Sequence, residues 1–421
     1  MLSVVVIFSL FAAAIAIALV RPAMGIICFY FFYTLDPLWN WRWALPDSVP
    51  FQVWLFVAST IGAILNYGKS VYISRESKKG LLLLLGFYCA CLISATQSID
   101  PSTSNAFNSI LWKQLAAVAL GILCIVDLKH ARILLVLTLA GIGYNSFQIN
   151  LDYFETGLSR FAYRKWGSYG LDNNTMALMY APFIPIAFGF AAVESRTWVR
   201  AAYTIPGVLL IHQVMLSMSR GAMLSVVLGL TLLLFKAPRT RANVRDFTLG
   251  LILTIALAGP NVVTEFSSIF ADSDKRDNSA ESRFHLWEAG IRITADYPML
   301  GTGPNTSRYL VPKPEYWSGP KLTTSNKALH NLFLDLSAGI GIFGSLIYLS
   351  LFAIPFWHAW KTLRQFDQRT ASVALAITCG IVVYFSGSMF SSGLLIESPY
   401  ILVIAGFALM NDQKQTAAVT A

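Results

Sequence analysis

Residues 201–236 read AAYTIPGVLLIHQVMLSMSRGAMLSVVLGLTLLLFK, two apolar runs joined by Ser217-Met218-Ser219-Arg220-Gly221-Ala222-Met223. Neither run alternates with charge as a helix on a soluble core would. At 1.5 Å per residue each covers most of a hydrocarbon layer about 30 Å thick. The arginine between them is therefore at a membrane edge. A permanent charge there costs several kcal/mol unless it snorkels, and it is rarely retained without an anionic partner. Arg220 is expected to mark both a chain reversal and a place that a negative group visits.

The same pattern recurs along the chain. Of 421 residues 56% are hydrophobic and 13% charged, which excludes an ordinary soluble globule and a disordered chain. Apolar runs fall at about 4–20, 23–35, 52–66, 80–95, 110–126, 131–149, 175–193, 201–217, 222–236, 247–264, 331–356, 371–387 and 394–410. The fold class is all-α: a polytopic transmembrane helical bundle of about 12 spans. Three regions are expected: N-terminal transmembrane helices over 1–264, a loop region over 265–330, and C-terminal transmembrane helices over 331–421. The first apolar run lacks a basic start and ends at Arg21-Pro22, so no cleavable export signal is expected. The crossing pattern of the first 35 residues stays open.

Lysine and arginine set the orientation. Lys69, Arg75, Lys78, Lys79, Lys129, Arg132, Arg196, Arg200, Lys236, Arg239, Arg241, Arg245, Lys361, Arg364 and Arg369 share one side, which makes that side cytoplasmic. The net charge of +9 is then topology and no nucleic-acid footprint. The other face holds 36–51, 96–109, 150–174 and the long 265–330. The five cysteines lie in apolar runs without metal-ligand spacing, and no nucleotide-binding glycine loop is present. No cofactor and no metal are expected.

The loop 265–330 opens polar at Asp272–Ser279 and becomes amphipathic from Ser282 to Tyr297, as a helix on the membrane surface or across the bundle would. Pro298 and Gly301-Thr302-Gly303-Pro304 end it. Thr323-Thr324-Ser325-Asn326 fit N-cap positions for a helix containing His330. In a first turn the macrodipole would lower the imidazole pKa and keep it neutral, able to accept a proton.

Ser219-Arg220-Gly221-Ala222, then Glu281-Ser282-Arg283 with Trp287 and Pro298–Gly303, then His330-Asn331 followed by Gly339, Gly341 and Gly344, resemble in order and spacing the signature of the O-antigen ligase and polymerase superfamily. The likeness covers about 150–360. Trp166–Asn174 also resembles a pattern of this superfamily, including its exosortase-associated O-glycosylation ligases. The resemblance implies a membrane-embedded C-type glycosyltransferase of the bacterial inner membrane. Its donor would be an undecaprenyl diphosphate-linked glycan, taken on the periplasmic face.

Residue chemistry agrees with that implication. A glycan on a lipid diphosphate already carries its leaving group, so transfer needs only positioning and charge stabilisation. Arg220 and Arg283 are the expected diphosphate ligands, because a guanidinium grips phosphate as a bidentate fork. His330 is the expected base for the acceptor hydroxyl, giving an inverting, metal-independent displacement. Arg160 and Arg164 are further candidates for the diphosphate, and they equally fit interfacial anchors. The bland readings are a snorkelling Arg220, a surface ion pair for Arg283 and an interface-marking His330. His212 reads as an interhelical contact, His285 as an understudy for the base, and His130 and His358 as distant from the chemistry. Asp335, Lys113 and Glu397 are charges the sequence does not pair. The outer tryptophans suit sugar stacking and, more commonly, an interfacial belt.

The favoured function is ligation of O-antigen to a sugar hydroxyl of lipid A-core. The alternatives are O-antigen polymerisation or transfer to a protein hydroxyl, and, outside enzymes, transport. Key polar residues at the membrane edge and the lack of a visible inverted repeat weigh against transport. Expected partners are the lipid-linked donor, the lipid A-core acceptor and membrane lipids, with no nucleic acid.

Overall fold

A computed structural model describes residues 2–46, 49–69, 71, 73–157, 166–168, 170–257, 278–320, 322, 324–363 and 368–420. Among the described residues there is no β-strand, and the chain is an all-α bundle. Its first half runs through α1 (Leu2–Val20), α2 (Pro22–Leu35), the short α3 (Pro37–Asn40), α4 (Phe51–Leu65), α5 (Arg75–Ala95), α6 (Pro101–Cys124) and α7 (Leu128–Thr156). Then come α8 (Asn173–Tyr180), α9 (Phe183–Val193), α10 (Thr197–Leu216), α11 (Arg220–Lys236) and α12 (Arg241–Leu257). The last part holds α13 (Asn278–Asp296), α14 (Leu332–Thr362), α15 (Gln368–Ser388) and α16 (Ser398–Thr420).

Among the described residues eight candidate spans are long and apolar enough to cross a membrane: α1, α5, α6, α7, the joined α8–α9 pair, α10, α14 and α15. Helix starts follow side-chain caps. Asp100 accepts from the amides of Ser102 and Thr103, Asp127 from His130 and Asp172 from Thr175. Each such cap is worth about 1 kcal/mol. The apolar runs locate the helices, and the caps set ends beyond the runs: α6 begins at Pro101, well before Ile110, and α7 ends at Thr156, capped by Gly157 at φ 65°.

The centre of the bundle is α16, which packs against α5, α6, α7, α14 and α15. From Tyr400 to Ala405 every side chain is fully buried, as are Phe407, Ala408 and Leu409. Val5, Trp54, Ile61, Leu82 and Leu85 face outward on α1, α4 and α5, as lipid-facing side chains do. Lipid tails are as apolar as leucine, so close packing holds such helices together more than a hydrophobic drive does.

One break positions the site. Inside α14, Gly341 has φ 72° and ψ 179°, which interrupts the helix and strands its carbonyls. The segment after α13 crosses this break: Thr302 N–H donates to Ala338 O (2.8 Å), Gly303 N–H to Gly339 O (2.9 Å), and Ile342 N–H to Pro298 O (2.9 Å). The hydroxyl of Ser94 also donates to Gly339 O (2.9 Å), and the side-chain amide of Gln97 to Gly301 O (3.0 Å). Backbone freed from a helix inside a membrane protein must find such partners. Gly341 carries a positive φ, and the backbone of Met299 occupies the space a β-carbon would need. Gly341→Ala is expected to destabilise the fold by about 2–4 kcal/mol through strain and overpacking. Thermal unfolding in detergent checks this; a wild-type melting temperature would contradict it.

Candidate functional site

Among the described residues four other than glycine have positive φ: Asp36, Met218, Asn305 and His330. Such strain collects where structure over-determines a functional conformation. Met218 stands two residues before Arg220. The turn it makes is held by Ser217, whose hydroxyl donates to Val214 O (2.6 Å) and accepts from Ser219 N–H (3.2 Å). Asn173 donates to Ser217 O (2.8 Å), fastening the turn to the start of α8. Asp36 in turn accepts from Ser168 N–H (2.8 Å), so the segment before α8 is tied to the end of α2.

Arg220 opens α11, and no side chain caps that helix. Its half-buried guanidinium adds a charge to the positive end of the helix dipole, a placement disfavoured by about 0.3–1 kcal/mol. An anion bound there would meet both the guanidinium and the helix-end N–H groups.

Phe390 joins this turn to Arg283. It follows α15, in a loop that reaches well into the bundle: Leu395 O accepts from the side-chain amide of Gln114 (2.6 Å), about 20 Å along α6 from its start. Arg283, in α13, sets its guanidinium carbon 5.8 Å from the centre of the Phe390 ring. Trp287 meets the same ring at 5.9 Å and 48°. From the other side Gly221, the neighbour of Arg220, lies so close to Phe390 that a β-carbon would collide with it. Two elements distant in sequence, each bearing a candidate arginine, thus converge on one aromatic ring.

His330 departs from expectation in a specific way. It is not in the first turn of a helix. Asn331 is the N-cap, accepting from Phe333 N–H (3.0 Å) and Leu334 N–H (3.2 Å), and α14 starts at Leu332. His330 precedes the cap with φ 52°. Thr323-Thr324-Ser325-Asn326 therefore cap nothing that contains it; Thr323 lies outside the described residues. Within the first turn of α14 the Asp335 carboxylate accepts from the Ser392 hydroxyl.

The expected neutrality of the imidazole stands, with a different cause. Burial lowers the His330 pKa first, followed by the nearby charges of Arg283, Lys327 and Arg308, while Asp172 opposes them. No helix dipole is needed. A base must be deprotonated, so activity is expected to rise with pH through an acid limb below the ordinary histidine value of about 6.5. Arg283→Gln removes a positive neighbour, stabilises the imidazolium and moves that limb to higher pH. A pH–rate profile checks this; an unmoved limb would show that Arg283 does not act on His330.

Other candidates separate from this cluster. Arg160, Arg164 and Lys165 lie outside the described residues, as does the side chain of Glu281. The imidazole of His212 is fully buried and bonds Asn150 Oδ1 at 2.5 Å between α7 and α10, an interhelical contact. His285 pairs with Ser318 (2.9 Å) beside Trp317. His130 pairs with Asp127 and His358 with Gln413, at the basic end. Lys113 is exposed on the outer face of α6. Among the described residues no group of histidine, cysteine or acidic side chains could hold a metal ion. Phe390, Lys327 and Arg308 were not singled out by sequence; Phe390 lies in a short link between two apolar runs and the others in a turn-rich stretch without helical period.

Residues 205–349 match the O-antigen ligase family model. Over those residues the chain is similar to that family. The match runs from within α10 to within α14 and takes in Arg220, Arg283, Arg308, His330 and the Gly341 break. It agrees with the wider ligase and polymerase superfamily, and hence with an O-antigen ligase- or polymerase-type function in a multi-pass membrane protein. No curated protein matches the chain.

Proposed function

We propose that the protein is an O-antigen ligase, transferring glycan from undecaprenyl diphosphate to a sugar hydroxyl of lipid A-core. The observation that carries this reading is the meeting of the Arg283 guanidinium and the Arg220 turn on Phe390, with the imidazole of His330 in the field of Arg283. The basic loops lie at the opposite end of the bundle, so the site opens to the periplasm of the inner membrane.

The acceptor oxygen attacks C1 of the donor sugar as its proton passes to a ring nitrogen of His330. The bond from C1 to the phosphate oxygen breaks, and its electron pair becomes charge on the diphosphate. Arg220 and Arg283 are fixed before the reaction and oppose that charge as it grows, in a site from which protein and lipid exclude much water. His330 then releases its proton to solvent. One displacement inverts the anomeric centre. The long loop of ligase-like extent and the single compact motif set favour ligation over polymerisation.

Deletion of the gene tests the acceptor. Loss of a ligase leaves bare lipid A-core on a gel while long lipid-linked glycan accumulates. Core carrying one repeat would mean a polymerase, and unchanged lipopolysaccharide would remove both readings.

A further inference from the structure

Arg308 was hidden in the turn-rich stretch between α13 and α14, and the mechanism above leaves it unused. It sits in a one-turn 3₁₀ segment, Ser307–Tyr309, whose frame is firmly held. The Thr306 hydroxyl bonds Thr302 O (2.6 Å) and Gly303 O (2.8 Å), in the segment stitched into the α14 break. Tyr309 OH shares a hydrogen bond with Thr103 Oγ1 of α6 (2.9 Å). On the other side, Arg308 O accepts from Lys327 N–H (2.9 Å), so Arg308 lies beside the segment that leads into His330.

The side chain is half-buried, and its Nε is buried with no acceptor among the described residues. Its charge is felt at both His330 and Asp335. The Asp335 carboxylate takes a hydrogen bond from the Ser392 hydroxyl, in the same loop as Phe390, and Arg308 shares the neighbourhood of His330 with Arg283. A buried charged donor without a partner demands an anionic acceptor.

We propose that Arg308 is a third guanidinium for the donor, binding the diphosphate and setting its preference over a monophosphate. This rests on the ligase reading. In an in-line displacement the leaving diphosphate needs its ligands in place before C1 is attacked, and a rigid backbone frame supplies that preorganisation.

The test uses the purified full chain in detergent, with undecaprenyl diphosphate and undecaprenyl monophosphate as probes and neither glycan nor acceptor present. Wild-type protein is expected to prefer the diphosphate by about tenfold or more, Arg308→Ala by less than about threefold, and Arg308→Lys by an intermediate factor because it keeps charge without the fork. A wild-type preference in Arg308→Ala would overturn the proposal, as would an intact preference combined with weaker binding of phosphorylated lipid A-core. Should the alanine variant fail to fold, Arg308→Lys with an unchanged melting temperature decides: a full preference there overturns the assignment. Absence of any diphosphate preference in wild-type protein would instead remove the ligase reading, and this inference with it.

Discussion

Replacing His330 by alanine is expected to lower glycan transfer by about 10²–10⁴-fold, the contribution of a positioned general base. Donor binding should change little, because the proposed phosphate ligands are Arg220, Arg283 and Arg308 and not His330. The variant should still fold: the helix start depends on Asn331. The backbone at 330 has φ 52°, so alanine inherits some strain, and asparagine, which tolerates that region better, provides the control. Transfer by purified protein checks both variants. Wild-type rates from either would remove the assigned base.

Arg283→Ala is expected to cost about 10²–10³-fold in turnover, the scale of losing one preorganised donor to a developing oxyanion. It also weakens donor binding. Arg283→Lys tells charge from geometry. Lysine restores the cation and loses the planar fork that bridges two phosphate oxygens, so most of the rate should stay lost. An ordinary surface pair would behave otherwise, since such pairs contribute about 0–1 kcal/mol and lysine replaces arginine there with little effect. Full turnover in the lysine variant would return Arg283 to a structural role.

The helices were legible because membrane spans are written locally, as long apolar runs with polar caps between them. Arg220 was legible for the same reason: a charge inside such a run stands out. What escaped depends on partners distant in the chain. Gly339, Gly341 and Gly344 entered the sequence reading only as part of a family-like signature, yet Gly341 breaks α14, where Pro298–Gly303 supplies the missing hydrogen bonds. The same break explains why Gly301 and Gly303 have positive φ. His330 looked like a helical residue because Asn331, one position later, continues without a visible stop into the apolar run. Its neutrality was foreseen from the helix dipole and arises from burial and Arg283, which sequence cannot bring together. Phe390 illustrates the limit most plainly. Nothing local distinguishes it from 27 other phenylalanines; only the path of its loop brings it against Arg283 and Gly221.

Asp335 acquires a meaning it lacked as an isolated acid in an apolar helix. Its bond to Ser392 joins the start of α14, just after His330, to the loop of Phe390. A shift in that loop would therefore reach the base and the Arg283 platform together.

The most direct measurement is a density map of the purified protein with undecaprenyl diphosphate bound. The diphosphate is expected between Arg220 and Arg283, within hydrogen-bond reach of both guanidinium groups and on the side of Phe390 nearest His330. Diphosphate bound elsewhere, with these two arginines contacting none of its oxygens, would contradict the assignment of the site.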